Sequence, residues 1–186
     1  THFGGAPIVL NMLANAPQDH QKELKRKVYV LTAGAPPPSI IFEKMQKLGF
    51  EVMHVYGLTE TYGHILQCAW NQEWDELDQN NQNEIRARQG VRYPNTEGVI
   101  VMDPETMKPV PHDGKTMGEI MIRGNVVMKG YFKDKEATEK SMDGGWFHSG
   151  DLAVTHPSGY IKITRPIKRY YNFRRRKYFI LSLIHI

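Results

Sequence analysis

The first third of the chain alternates segments in which hydrophobic residues follow strand-like and helix-like spacing. Residues 28–34 and 50–57 are short apolar runs that each end at a glycine, and residues 39–50 carry apolar side chains at helical intervals. This order predicts a β-α-β unit, the building block of parallel sheets. Because ligands of such sheets bind beyond the carboxyl ends of the strands, we expect the loops after the two strands to face one pocket.

The pattern changes after residues 71–89, a polar stretch that we expect to be helical in parts and to separate two regions. Turns then divide short apolar runs that predict strands, and a charged segment at 133–142 predicts a short helix. The predicted strands are residues 97–103, 118–124, 126–132, 151–156 and 159–164. Short strands at regular intervals predict a small barrel or sandwich.

Composition restricts the protein class further. With 186 residues and 40% hydrophobic side chains, the chain can bury a sizeable core. Its single cysteine, Cys68, excludes a disulfide framework and a thiolate-rich zinc site, and fits a reducing compartment. No stretch approaches the roughly 20 consecutive apolar residues of a membrane helix, and no signal peptide is visible. The chain begins at Thr1 without an initiator methionine, which indicates a piece of a longer protein.

The formal net charge of +4 comes from one segment. Residues 165–186 carry seven lysines and arginines and no acid, which leaves 17 basic against 20 acidic residues, a net charge of −3, for residues 1–164. A nucleic-acid partner is therefore not expected of the main part of the chain.

Several common catalytic motifs are incomplete or missing. The sequence HDGKT at residues 112–116 resembles the end of a phosphate-binding P-loop, but Pro109 stands where that loop needs a glycine, so we interpret the segment as a hairpin turn. The eight histidines form no pair at metal-binding spacing, and no serine lies in a G-x-S-x-G elbow. Neither a zinc enzyme nor a hydrolase of that class is supported.

The loop AGAPPPS at residues 33–39 follows the first predicted strand. In one interpretation its prolines stiffen a turn and Ser39 caps the next helix. In the other, Gly34 and Ala35 lack bulk and let a flat ring lie against the backbone.

The segment YGLTET at residues 56–61 follows the second predicted strand and offers more chemistry. Tyr56 presents a flat face for stacking, Gly57 permits close approach, Thr59 offers a neutral hydroxyl to an oxyanion, and Glu60 offers a hard carboxylate to Mg²⁺. The alternative is that Thr59 caps a helix beginning at Glu60. Both hold together, since a helix N-terminus is itself an anion site.

The segment GGWFHSGD at residues 144–151 places Asp151 after a Ser-Gly turn at the start of a predicted strand. It is either a hairpin corner or a carboxylate that accepts both hydroxyls of a ribose, as a lone acid does in dinucleotide folds.

In their order and spacing the three loops resemble the adenylate-forming superfamily of acyl-CoA synthetases, luciferases and peptide-synthetase adenylation domains. The motifs are AGAPPP, YGLTET, GEIMIRG, VMKGYFKDKEAT, DGGWFHSGDLA and GYI, and the resemblance covers residues 1–164. The segments THFGGAPIVLNMLANA and CAWNQEWDEL are most similar to plant acyl-activating enzymes, of the short- to medium-chain or benzoate and butyrate CoA ligase type.

The resemblance implies part of the large α/β domain of an acyl-CoA synthetase at residues 1–89, followed by a small β-barrel subdomain at 90–164. It implies that a carboxylate attacks the α-phosphate of ATP to give acyl-AMP, and that the thiol of CoA then takes the acyl group. By motif, Gly34 and Ala35 would border the adenine, Tyr56 would stack on it with Gly57 beside it, and Asp151 would hold the ribose hydroxyls.

The same resemblance assigns the phosphate and metal contacts to one turn. Thr59 would hydrogen-bond the α-phosphate and Glu60 would bind Mg²⁺. Selectivity for the acid is expected partly from residues near that turn, with candidates His54, Val55, Gly63 and His64. The protein is expected in the cytoplasm or the peroxisome.

The sequence also departs from the family pattern. The Ser/Thr/Gly-rich phosphate loop and the C-terminal catalytic lysine of family members are not found in these 186 residues, so this chain alone is expected to show little or no turnover. Residues 165–186 break the resemblance and are expected to be the translation of an intron, a shifted frame or a cloning sequence. The competing interpretation is a basic arm for nucleic acid or membrane.

Two other functions remain open from the sequence. One is a non-catalytic nucleotide-binding remnant. The other is an adenylation enzyme that passes the acyl group to a carrier protein or oxidises it as luciferase does.

Overall fold

The computed structural model describes residues 1–34 and 37–166. The strands are β1 (His2–Gly4), β2 (Val28–Thr32), β3 (Phe50–Leu58), β4 (Gly63–Gln67), β5 (Val91–Arg92), β6 (Gly98–Met102), β7 (Gly118–Arg123), β8 (Phe147–Thr155) and β9 (Ile161–Pro166). The α-helices are α1 (Pro7–Ala14), α2 (Ser39–Lys47), α3 (Gln79–Arg86) and α4 (Lys135–Ser141). Single 3-10 turns lie at Gln18–His20, Thr59–Thr61, Gln72–Glu76 and Asp143–Gly145.

The first sheet has the strand order β1-β2-β3-β4-β5. Its first three strands are parallel, and α2 connects β2 to β3, which confirms the predicted β-α-β unit. The carboxyl end of β2 lies beside the middle of β3, with Thr32 opposite His54, and β3 runs four residues further to Leu58. The helix packs on this sheet because its buried residues Ile41, Phe42 and Met45 join a cluster with side chains of α1, β2 and β3.

The second sheet is antiparallel throughout, in the order β6-β7-β8-β9. An α/β layer followed by a subdomain built on a separate β-sheet is therefore confirmed. In the described residues this sheet has four strands, and α4 lies between β7 and β8 in the chain.

One predicted strand is wrong. Residues 126–132 belong to neither sheet. The Val127 amide donates to the Gly124 carbonyl in a turn, and the Met128 amide donates to the Glu60 carbonyl at 2.7 Å. These backbone amides of the segment therefore bond to a turn and to the 3-10 turn after β3, and not to a neighbouring strand.

One hydrophobic core joins the two sheets. Its buried members from the first sheet are Tyr56, Ile65 and Leu66, and those from the second sheet include Val99, Ile120, Phe147 and Ile161. A bridge between Gly90 and Ile161 links the two sheets along their backbones. The boundary between residues 89 and 90 stays a prediction, and the predicted tail lies outside the described residues from position 167 onward.

In the part of the chain that the structure describes, every helix is too short or too polar to cross a membrane.

Candidate functional site

Tyr56 and Asp151 meet where the two sheets join. The Tyr56 hydroxyl donates a 2.7 Å hydrogen bond to Asp151 Oδ2. Tyr56 lies near the end of β3 and is 7% exposed. Its burial, with the adjacent negative charge of Asp151, raises the pKa of Tyr56 far above its ordinary value, so the hydroxyl keeps its proton as a donor. Two residues that the sequence analysis assigned to one nucleotide site are thus in direct contact.

Asp151 occupies a bulge inside β8. The sequence predicted a Ser-Gly turn before a strand, which is wrong, because β8 runs through both residues. Residues 119–121 of β7 face residues 148–152 of β8, so β8 carries extra residues at this point. Gly150 has a φ of 78°, which permits the bulge. Burial raises the pKa of the half-buried Asp151, while the hydrogen bond from Tyr56 opposes that shift.

The chain after β3 forms one 3-10 turn, Thr59–Thr61, and then reverses into β4. The alternative in which Thr59 caps a helix beginning at Glu60 is wrong, because Leu58 occupies the N-cap position. Thr61 closes the turn instead: its Oγ1 accepts the Leu58 amide at 2.9 Å and lies 2.9 Å from the Gly63 carbonyl oxygen. No helix continues because the next residue, Tyr62, is left-handed at φ 56°.

This reversal presents Thr59 and Glu60 at the end of β3. Thr59 is exposed and Glu60 is partly exposed, whereas Thr61 is 1% exposed. The buried threonine holds the turn, and the exposed one is accessible to a ligand.

Gly57 is required for the pairing of β3 with β4. A Cβ at this position would lie 1.9 Å from the Gly63 carbonyl oxygen, a distance that atoms cannot adopt. The close approach expected at Gly57 is thus an approach of the β4 backbone. Contact between Gly57 and a ligand stays a prediction.

Glu60 is held by the segment that crosses its turn. The Tyr131 hydroxyl donates to Glu60 Oε1 at 3.0 Å, and the Met128 amide donates to the Glu60 carbonyl. Magnesium is usually bound in proteins by one or two carboxylates together with phosphate oxygens and waters. Residues 1–34 and 37–166 hold no group of three or more His, Cys, Asp or Glu side chains suited to a metal. The donor set at Glu60 therefore fits a metal that a nucleotide brings with it.

The loop after β2 is described up to Gly34, and Ala35 lies outside the described residues. A side chain at Gly34 would meet nothing within 4 Å among the described residues, so the backbone there is accessible. Ser39 is the first residue of α2, and Pro38 occupies the N-cap position. The interpretation in which Ser39 caps the helix is therefore wrong, since the helix begins at Ser39, one residue earlier than a Ser39 cap requires.

The four candidates for acid selectivity have different surroundings. His54 is 2% exposed, its Nδ1 lies 3.2 Å from the Ala87 carbonyl oxygen, and burial lowers its pKa. Val55 is buried on the same strand. Gly63 begins β4, and the His64 ring packs edge-on against a tyrosine ring at 4.5 Å between centroids. A role of these residues in an acyl pocket stays a prediction.

Sequence reasoning missed four residues that support the site, namely Thr61, Glu119, Tyr131 and His148. Glu119 had a visible signal, because it is the one acid in the apolar run GEIMI. The other three had none, since their partners lie far away in the sequence or depend on the turn.

A separate cavity of about 710 Å³ lies along β1, β2 and β3. Tyr29, Met53, Trp70 and Arg86 are among the described residues that line it. None of the site residues predicted from the sequence is among them. The candidate site is therefore defined by side-chain contacts at the junction of the sheets and not by this cavity.

Comparisons with known proteins give the family and the fold of the chain. A family model described as AMP-binding enzyme matches residues 1–132. Over 165 residues the chain is 58% identical to acetate–CoA ligase CCL3 of Humulus lupulus and 56% identical to the peroxisomal acetate/butyrate–CoA ligase AAE7 of Arabidopsis thaliana, covering 88% of this chain and 29% of each relative. The N-terminal domain of FACL13 from Mycobacterium tuberculosis has a TM-score of 0.70 at 25% identity, covering 88% of this chain and 38% of that one. The chain thus spans under a third of the length of these curated relatives.

Proposed function

The chain belongs to the AMP-binding enzyme family, and from that premise we propose that it is part of an acid–CoA ligase that activates a carboxylic acid with ATP. The observation that carries the proposal is the hydrogen bond between Tyr56 and Asp151. It joins a flat aromatic ring and a carboxylate beside the turn that presents Thr59 and Glu60. The aromatic ring suits a base and the carboxylate suits the hydroxyls of a ribose. The Thr59 hydroxyl suits a phosphate, and the Glu60 carboxylate suits the metal bound to that phosphate.

In this proposal the adenine and ribose are held by the two sheets. Tyr56 stacks on the adenine, with Gly34, Ala35 and Gly57 bordering it. Asp151 accepts hydrogen bonds from the ribose hydroxyls, a strong contact because one partner is charged. The bond from Tyr56 to Oδ2 leaves Asp151 with further acceptor capacity for the ribose.

The phosphates are held at the turn after β3. Thr59 donates to an oxygen of the α-phosphate, and Glu60 binds Mg²⁺, which offsets the negative charge of the phosphates. Tyr131 holds the Glu60 side chain in place.

The proposed reaction has two steps. A carboxylate oxygen of the acid attacks the α-phosphorus of ATP and the bond to pyrophosphate breaks. The thiol of CoA then gives up its proton, its sulfur attacks the acyl carbon, and the bond between the acyl carbon and the oxygen of AMP breaks. The contribution of this chain is positioning and charge stabilisation, which such displacements depend on.

For the substrate we propose a small carboxylic acid, because two relatives with 56–58% identity are named for acetate or butyrate. Residues near the turn, His54 and Val55 on β3 with Gly63 and His64 on β4, are the proposed contributors to acid selectivity. A cytoplasmic or peroxisomal location is part of the same proposal, the second following the name of one relative. The domain boundaries at residues 89 and 164 are also carried forward as proposals.

The test has two arms. In the first, AMP binding to the 186-residue chain is measured by calorimetry, with adenosine as the comparison ligand and Thr59→Ala and Asp151→Ala as variants. We expect AMP to bind more tightly than adenosine, and both variants to weaken AMP binding while leaving the thermal unfolding transition cooperative. Equal affinity for AMP and adenosine would contradict the phosphate site.

The second arm uses a full-length protein that carries this sequence. ATP–pyrophosphate exchange should depend on an added carboxylic acid, and acyl-CoA should form when CoA is supplied. Exchange without CoA transfer would favour delivery to a carrier protein instead. Nucleotide binding with no exchange for any acid in a panel would favour a non-catalytic nucleotide-binding protein.

A further inference from the structure

Glu119 is a buried acid in an otherwise apolar strand. It is the second residue of β7 and 2% exposed, and the following residues Ile120, Met121 and Ile122 are 0% exposed. Burying a carboxylate costs free energy unless hydrogen bonds compensate for the lost water. Glu119 is therefore expected to form hydrogen bonds that offset the cost of its burial.

The Glu119 carboxylate contacts two residues of the bulge in β8. Its Oε1 accepts the Gly150 amide at 2.7 Å, and its Oε2 lies 3.2 Å from His148 Nδ1. A carboxylate only accepts hydrogen bonds, so the His148 nitrogen is the donor of the second contact. The two oxygens thus bind the residues one and three positions before Asp151 in the chain.

These contacts replace ladder hydrogen bonds that the bulge removes. The pairing of β7 with β8 shifts between Glu119 and Met121. Within the bulge the Gly150 amide is taken by Glu119, and the Asp151 amide donates to Ser149 Oγ at 3.1 Å. Side chains therefore satisfy the backbone where the strand leaves the ladder, and this fixes the direction in which the Asp151 carboxylate leaves the strand toward Tyr56.

We infer that Glu119 is a positioning residue for Asp151: by holding Gly150 and His148 it fixes the bulge that aims the Asp151 carboxylate at the ribose hydroxyls of a nucleotide. The inference rests on the proposed function, in which Asp151 binds the ribose. Glu119 does not touch the nucleotide itself. Its loss should therefore act on recognition of the ribose hydroxyls and not on binding of the phosphate.

A merely structural role would lower stability without changing which ligand the protein prefers. The test consequently measures a preference, the ratio of the dissociation constants of 2′,3′-dideoxy-AMP and AMP. Wild-type chain, Glu119→Ala, Glu119→Gln, Asp151→Ala and the double variant Glu119→Ala/Asp151→Ala are compared by calorimetry. Each is first checked for a cooperative unfolding transition.

We expect wild-type chain to prefer AMP by about tenfold or more, since hydrogen bonds to a charged group are lost with the dideoxy ligand. Glu119→Ala should bring this ratio down to within about threefold of the Asp151→Ala value. Glu119→Gln, whose amide oxygen still accepts the Gly150 amide, should keep most of the preference. The double variant should lose no more than Asp151→Ala alone, because Glu119 acts through that carboxylate.

Failure of the proposed function and failure of this inference give different results. No AMP binding by wild-type chain, or a wild-type preference that Asp151→Ala leaves intact, overturns the ribose assignment. A preference that collapses in Asp151→Ala but persists in folded Glu119→Ala overturns the role of Glu119. If Glu119→Ala does not fold, Glu119→Asp takes its place: it keeps the charge but withdraws the carboxylate by one methylene. It should reduce the preference at least threefold, and an unchanged preference overturns the inference.

Discussion

The Tyr56 hydroxyl donates a 2.7 Å hydrogen bond to Asp151 Oδ2 and ties the end of β3 to the bulge in β8. The contact joins residues from the two sheets, so the candidate nucleotide site exists only where the sheets are packed together. Burial raises the pKa of both groups. The hydrogen bond that Tyr56 donates to Asp151 opposes the rise in the pKa of the carboxyl. Site geometry and inter-sheet packing therefore depend on the same bond.

Replacing Tyr56 with phenylalanine removes this bond and keeps the aromatic ring. We expect the free energy of unfolding to fall by about 1–2 kcal/mol, because a hydrogen bond to a partly buried carboxylate is lost. AMP affinity should fall less than in Tyr56→Leu, which also removes the stacking face. Urea unfolding and calorimetry measure the two effects.

Tyr62→Phe is the matched control, because Tyr62 is 93% exposed on the adjoining turn. Its unfolding free energy and AMP affinity should equal those of wild-type chain. A stability loss of the same size in both variants would argue against a specific role for the Tyr56 hydroxyl.

The two threonines of the turn should separate binding from stability. Thr61→Val removes a buried hydroxyl that bonds the backbone of the turn, so we expect a loss of about 1–3 kcal/mol of unfolding free energy. Thr59→Ala changes an exposed side chain and should alter stability by no more than about 0.5 kcal/mol. AMP affinity should nevertheless fall in Thr59→Ala, since Thr59 is the proposed phosphate donor. Similar stability losses in the two variants would contradict this division.

The sequence predicts the β-α-β unit because local periodicity decides it. The apolar runs of β2 and β3 and the helical spacing of α2 are properties of adjacent residues, and the carboxyl ends of parallel strands meet at one edge by construction. The sequence also predicts that the loops after Thr32 and after Leu58 face one pocket. Because β3 runs four residues past His54, the partner of Thr32, this shared pocket stays a prediction.

The features of the fold and of the candidate site that the sequence did not predict depend on contacts between distant residues. Thr59 and Thr61 both carry a hydroxyl that could bond to the backbone of the turn. Thr61 makes this bond because the left-handed Tyr62 ends the turn and the chain reverses into β4. Residues 126–132 have the composition of a strand, but the Met128 amide is taken by Glu60. Glu119 and His148 are 29 residues apart in the sequence, and their contact depends on the bulged pairing of β7 with β8.

Tyr131→Phe should weaken the metal contribution to ATP binding. The Tyr131 hydroxyl holds Glu60 Oε1 at 3.0 Å, and without it the proposed Mg²⁺ ligand gains rotamer freedom. We expect the factor by which Mg²⁺ tightens ATP binding to fall about three- to tenfold, corresponding to a hydrogen bond of about 1 kcal/mol. Binding of AMP without Mg²⁺ should change little. An unchanged Mg²⁺ factor in calorimetric titrations would show that Tyr131 does not position Glu60 for the metal.

His54 should make the free chain less stable in mild acid. Burial lowers the pKa of His54 from its ordinary 6.5, so the unfolded chain takes up a proton there that the folded chain does not. Stability is therefore lost as the pH falls below 6.5, by at most about 1.4 kcal/mol per pH unit from this one group. His54→Asn keeps an N–H for the Ala87 carbonyl but cannot titrate. Its unfolding free energy relative to wild-type chain should rise from pH 7 to pH 5, and parallel profiles would contradict the assignment.

Asp151 should show the opposite trend, because its function conflicts with stability. Burial raises its pKa above the ordinary 3.8, so the folded chain keeps a proton that the unfolded chain has already lost. The ionised carboxylate therefore lowers stability as the pH rises from 3.8 through the raised pKa, and the full penalty is present above both values. Asp151→Asn retains an acceptor for the Tyr56 hydroxyl without the charge. It should gain stability relative to wild-type chain as the pH rises from 4 to 7. It should also bind AMP more weakly at pH 7, because an amide oxygen is a poorer acceptor for ribose hydroxyls than a carboxylate. Urea unfolding across this pH range and AMP calorimetry at pH 7 measure the two trends. If Asp151→Asn loses both stability and AMP affinity at pH 7, the prediction is contradicted. The carboxylate would then stabilise the fold, whereas we expect it to lower stability and to contribute to AMP binding.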